Sequence, residues 1–169
     1  ILSGTNNSVT SPFSAVIAGD SNAVNSSLSM VGAGSNNSIS AATSAIIAVT
    51  DNQSIGGSGS YFFGSGQRNT LTGAAVSFIG AGVSNRISGL TSSIVGGTSN
   101  SIAANTSTII GGSLNTISGY ESVIVGGSEN TIQSGGFRSI IGSGQLNTIS
   151  AATQYSNILG GRLNDIGGS

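Results

Sequence analysis

Apolar residues recur along this chain in a fixed phrase: apolar, any, small, Gly, any, any, Asn, any, apolar. The clearest copy is Ile94–Ile102 (IVGGTSNSI), and it returns as Ile109–Ile117 (IIGGSLNTI) and Ile124–Ile132 (IVGGSENTI). Aligned on its first apolar residue, the phrase gives Ile1, Val16, Val31, Ile47, Phe63, Ile79, Ile94, Ile109, Ile124, Ile141 and Ile158, in steps of 15 to 17 residues. A second column lies eight residues later: Val9, Val24, Ile39, Ile55, Leu71, Ile87, Ile102, Ile117, Ile132, Ile149 and Ile166. Self-similarity at a fixed period marks a repeat architecture, in which one unit cannot bury its apolar face without its neighbours.

Within a copy the pattern alternates by two, the period of a strand. Around Ile124 the inward set is Ser122, Ile124 and Gly126, then, past a corner, Asn130, Ile132 and Ser134. A helix is excluded, because glycine pairs recur and no face of period 3.6 appears. Each copy therefore predicts two short strands, a tight glycine corner between them and a closing loop. That loop is expected to absorb all the length variation, as surface loops do cheaply. The predicted fold is all-β: a single-chain β-solenoid (β-roll) of about eleven coils, one domain over 1–169. The pattern runs to both ends, so the chain reads as a fragment of a longer repeat array. At about 4.8 Å per coil the rod should be about 50 Å long.

Two further columns refine the corner. The second glycine of the pair is Gly4, Gly19, Gly34, Gly66, Gly82, Gly97, Gly112, Gly127, Gly144 or Gly161, with Thr50 as the exception. A corner with positive φ explains the preference. The other column is Asn7, Asn22, Asn37, Gln53, Asn69, Asn85, Asn100, Asn115, Asn130, Asn147 and Asn164. At the strand spacing, successive carboxamides can hydrogen-bond along the stack, which predicts an internal amide ladder. Thr50 and Gln53 mark one irregular coil.

Composition narrows the function. Of 169 residues 28 are glycine, only 5% are charged, and the net charge is −1. Four scattered arginines provide no field to steer nucleic acid, so no nucleic-acid partner is expected. There is no Cys and no His, which removes disulfides, thiol or Ser–His nucleophiles and soft metal sites. The five carboxylates are scattered along the chain, so no acid–base pair is evident. The chain is read as no enzyme, with no cofactor and no metal. No apolar run is long enough to span a membrane, so no membrane contact is expected from this segment. All nine charges fall on the glycine corner, its flanks or the variable loop, away from the inward positions, as the cost of buried charge requires. Five Asn-x-Ser sequons occur, at Asn6, Asn25, Asn36, Asn52 and Asn105.

One face of the predicted solenoid is unexpectedly apolar. Positions flanking the first column carry Ile17, Met30, Ile46, Phe62, Phe78, Val95, Ile110, Val123, Val125, Ile140 and Leu159. Stacked, they form a long outward stripe, and monomers seldom expose large contiguous apolar patches. Outward positions of the second strand are mostly Ser and Thr. The stripe is therefore expected to be covered by another chain.

The segments Ser77-Phe78-Ile79-Gly80-Ala81-Gly82 and Ser122-Val123-Ile124-Val125-Gly126-Gly127 resemble the repeat of YadA-like heads of trimeric autotransporter adhesins. The resemblance covers the whole chain as a pattern, although the Asn column and doubled Gly are stronger here. It implies a left-handed β-roll, a homotrimer packed along its apolar faces, and attachment, with a host surface glycan or matrix protein as partner. Gly-Gly-x-x-Asn-x-Ile arrays are also similar to those of fibre proteins of phages and large viruses. The expectation is a structural extracellular fibre or adhesin segment, on a cell or virion surface, associating with itself laterally or end to end. The alternatives are an ice-binding solenoid, using the row Ser8, Ala23, Ser38, Ser54, Thr70, Arg86, Ser101, Thr116, Thr131, Thr148 and Asp165, and a viral tail or capsid fibre shaft.

Overall fold

The structure, a computed structural model, describes residues 1–47, 49–55, 59, 61–62, 66–73 and 75–167. It is all-β, with every strand two or three residues long and every pairing parallel. Eleven strands, from Ser8–Val9 to Asp165–Ile166, form one sheet. Ten strands, from Ala15–Val16 to Asn157–Ile158, form the second. The chain alternates between them, so each circuit adds one strand to each sheet. Ten steps at about 4.8 Å make the stack about 48 Å long.

A third ladder runs up the glycine corner itself. Gly34–Ser35, Val49–Thr50, Gly66–Gln67 and Gly82–Val83 form a four-stranded sheet. Isolated parallel bridges extend it, through Thr5, Asp20 and Ser35 on one side and through Thr98, Ser113, Ser128, Gln145 and Arg162 on the other. The corner is thus a hydrogen-bonded wall rather than a bare turn.

The core is the two predicted apolar columns, stacked residue on residue. Val16, Val31, Ile79, Ile94, Ile109, Ile124, Ile141 and Ile158 meet Val24, Ile39, Leu71, Ile87, Ile102, Ile117, Ile132 and Ile149 in one continuous cluster. Val9 and Ile166 pack against it partly buried at the two ends, and Ile1 is exposed. Burying each such side chain contributes about 1.5–3 kcal/mol, and only stacking makes that burial available to so thin a coil.

One coil runs a residue out of the expected register. Val31 pairs with Ile46, which is fully buried, so Ile46 rather than Ile47 holds the core position and leaves the outward stripe. Ile46 pairs in turn with Phe62, and Phe62 with Ile79. Phe62 therefore shares the core register instead of flanking it; Phe63 lies outside the described residues. On the other sheet Ser54 aligns with Ile39 and Leu71, whereas Ile55 pairs with Thr72. Gly34 pairs with Val49, so Val49 and not Thr50 stands in the glycine register. The slip has a physical cause in the amide ladder, described below. It also moves one extra residue into the glycine corner, because Phe62 to Leu71 spans nine residues rather than eight. The closing loop takes the rest of the length variation.

Candidate functional site

The amide ladder is continuous from Asn7 to Asn164. Each Oδ1 accepts the backbone N–H of the next asparagine at 2.8–3.1 Å. In most coils it also accepts the next Nδ2–H, as from Asn130 to Asn115 at 3.1 Å. In most coils Nδ2 in turn donates to the carbonyl of the corner glycine one coil on, as from Asn115 to Gly127 at 3.1 Å. Asn52, not Gln53, occupies the rung between Asn37 and Asn69. A glutamine is one methylene longer, so its carbonyl would not sit where the next main-chain N–H waits. The chain keeps the asparagine and shifts the whole coil by one residue. Asn52 is fully buried, so its sequon is closed in the folded chain.

Two local features set each rung. The residue before the asparagine is left-handed in every coil, at φ 51–58° from Asn6 to Leu163, including Asp51, Leu114 and Glu129. Such a conformation costs an L-residue roughly 1–2 kcal/mol, which the hydrogen bonds of the rung offset. The second corner glycine explains itself at Gly112: φ is 89°, and a Cβ would lie 2.1 Å from the Gly127 carbonyl oxygen. The first glycine of the pair has no such need, since a Cβ on Gly111 would meet nothing within 4 Å.

A second buried polar column was not read from the sequence as a ladder. Ser29, Ser44, Ser77, Ser92, Ser107, Ser122 and Ser139 are all buried. In two described runs, Ser14 to Ser44 and Ser77 to Ser156, each serine Oγ accepts the backbone N–H of the serine one coil on, as Ser122 does from Ser139 at 3.2 Å. The same hydroxyl lies 3.0 Å from the Tyr120 carbonyl and 3.1 Å from that of Gly136, and donates toward them. The residue before it is again left-handed, as at Thr106, Glu121 and Arg138. Each coil is thus two similar halves, of the form left-handed residue, small polar residue, any, Ile. Among the described residues no buried side-chain polar atom lacks a partner. Ser134, expected inside, is exposed, and the buried small residue of that longer loop is Gly136.

The two broad faces differ in chemistry. Outside the second sheet, Ile17, Val95, Ile110, Val125, Ile140 and Leu159 are exposed, and Met30, Phe78 and Val123 are half-buried. Val95, Ile110 and Val125 sit on three successive coils, at 44–49% exposure. No charged residue occupies this face. Outside the first sheet, Ser101, Thr116, Thr131 and Thr148 stand in register, bounded by Arg86 and Asp165. None of the nine charged side chains is buried.

A third surface lies at the variable-loop corner. Tyr120 stacks on Phe137 with ring centroids 5.4 Å apart and planes 10° apart. Arg138 donates through Nε to Glu121 at 2.6 Å and through Nη1 to the Tyr155 hydroxyl at 2.6 Å, its guanidinium 5.6 Å from the Tyr155 ring centroid. The hydrogen bond to Glu121, then that to Tyr155, raises the Arg138 pKa above its ordinary value. Tyr120, Glu121, Phe137, Arg138 and Gln154 line a shallow groove. The sequence signal for it was the pair of 17-residue steps beside three aromatic residues.

Among the described residues no group of three or more potential ligands is placed to hold a metal, and no helix is long and apolar enough to cross a membrane. The fold and its columns define a parallel β-solenoid built of tandem repeats. Neither known protein-family models nor the curated proteins contain a match to this chain.

Proposed function

We propose that this solenoid is a structural segment of an extracellular fibre or adhesin, a stiff rod that works by presenting surface rather than by catalysis. The observation that carries this reading is the asymmetry of the two faces. A rod held by a continuous buried amide ladder and a buried serine ladder keeps an uncharged apolar stripe outside one sheet and a hydroxyl-rich surface outside the other. Exposed Val95, Ile110 and Val125 on consecutive coils are a surface to be covered, and identical copies offer identical stripes. The resemblance to YadA-like heads supports three copies packed along these stripes, and the similarity to virion fibre arrays supports the same use on a virus. Sedimentation equilibrium at micromolar concentration tests it. The expected mass is three times the 16.4 kDa of the chain, and a stable monomer overturns the assembly.

A second reading, ice binding, draws support from the straight register of Thr116, Thr131 and Thr148. Thermal hysteresis in a dilute solution would establish it, and its absence removes it.

A further inference from the structure

The closing loop is longest where it is most decorated. Seven positions separate Ile132 from Ser139 and Ile149 from Ser156, against five from Ile117 to Ser122. At this corner stand Tyr120, Phe137 and Tyr155, three of the eight aromatic residues (five Phe and three Tyr), with Glu121 and Arg138, the one ion pair among the described residues. The pair is about half exposed, and such pairs add little to stability. Tyr120 and Tyr155 are likewise more than half exposed. The cluster therefore does little for the rod.

Its hydrogen-bonding capacity is largely unspent. Arg138 uses two of its five N–H groups on Glu121 and Tyr155. Three guanidinium N–H groups, Glu121 Oε1, the Tyr120 hydroxyl and the Gln154 carboxamide make no hydrogen bond within the described residues. The groove thus offers a stacked aromatic wall, several donors and several acceptors. Its net charge is zero, because Glu121 neutralises Arg138.

We propose that this corner binds a neutral saccharide. A sugar ring has an apolar C–H face that fits an aromatic wall and hydroxyls that both donate and accept. Arg138, held in place by Glu121 and Tyr155, would donate to ring hydroxyls beside Gln154, and the absence of net charge disfavours acidic sugars. The shallow groove suits a chain lying along the corner more than an engulfed small molecule. The proposal rests on the reading of the rod as an attachment surface, but not on its oligomeric state.

The full chain is titrated with neutral oligosaccharides of glucose, galactose, mannose and N-acetylglucosamine. Binding is read by tyrosine fluorescence and by saturation transfer from the Tyr and Phe ring protons. Binding of at least one series is expected. Tyr120→Ala and Arg138→Ala should each weaken it at least tenfold with an unchanged circular dichroism spectrum, while Leu163→Ala, at the opposite corner, leaves it unaltered. Glu121→Gln, which removes the neutralising carboxylate, should shift preference toward a uronic-acid oligosaccharide, and an unshifted preference counts against the proposal. Absence of binding, binding indifferent to Tyr120→Ala and Arg138→Ala, or preference of the unaltered chain for acidic sugars or an acidic peptide overturns it. Sedimentation of the same samples separates the two readings: an assembled chain that binds no neutral sugar overturns only this site.

Discussion

Asn115→Ala removes one rung from the middle of the ladder. Asn115 is fully buried, and its Oδ1 is the acceptor for both the main-chain N–H and the Nδ2–H of Asn130. The Asn130 Nδ2 keeps its bonds to Gly126 and Gly144, but its main-chain N–H is left buried without a partner. That orphan alone costs about 1–3 kcal/mol. The carbonyl of Gly127 loses the Asn115 amide but keeps the Ser113 N–H at 2.9 Å, so its loss is small. With the void left by the carboxamide, the total is about 3–5 kcal/mol. Asn164→Ala should cost about 1 kcal/mol or less, because among the described residues no N–H depends on its Oδ1. Denaturant unfolding followed by circular dichroism measures both variants, and hydrogen exchange at the Asn130 amide measures the rung itself. A loss below about 1 kcal/mol for Asn115→Ala, with Asn130 still protected, would refute the ladder as the source of stability.

Gly112→Ala, at a positive φ with a backbone oxygen in the way, should cost at least about 3 kcal/mol, whereas Gly111→Ala, facing open space, should stay within about 0.5 kcal/mol in the same unfolding assay. Ser122→Ala orphans the buried Ser139 N–H and should cost about 1–3 kcal/mol, with exchange at that amide accelerated. Asn52→Ala should cost about 3 kcal/mol while Gln53→Ala stays within about 0.5 kcal/mol; the reverse order would restore the register expected from the sequence.

The period, the two sheets and the core were legible because a stack demands the same residue type at the same place in every coil. The irregular coil was misread where the chain offers two adjacent equivalents, Ile46-Ile47 and Asn52-Gln53. Apolar alignment cannot choose within Ile-Ile, and the choice is made by which amide reaches the next N–H. A decisive signal was nonetheless present. A serine stands two residues before Ile46 and before Phe62, as it does before Val16 through Ile158 in the other coils. Aligning on serine would have fixed the register and shown the second ladder. The left-handed positions were not legible, because residues as different as Leu114, Glu129 and Arg68 adopt them. Their side chains point outward and carry no pattern; the backbone conformation is imposed by the polar residue that follows. The aromatic corner was hidden by its occurrence in only three coils, since repetition is what made everything else visible.

The central claim is that the apolar face is covered in the assembled protein and the hydroxyl face is not. The chain has no cysteine, so single replacements Val125→Cys and Thr131→Cys report one face each, through their rates of reaction with a maleimide. In a lone chain both sites are accessible, Val125 at 44% exposure. The account expects Val125→Cys to react far more slowly than Thr131→Cys at micromolar concentration and to approach its rate on dilution. Equal rates at every concentration would contradict it.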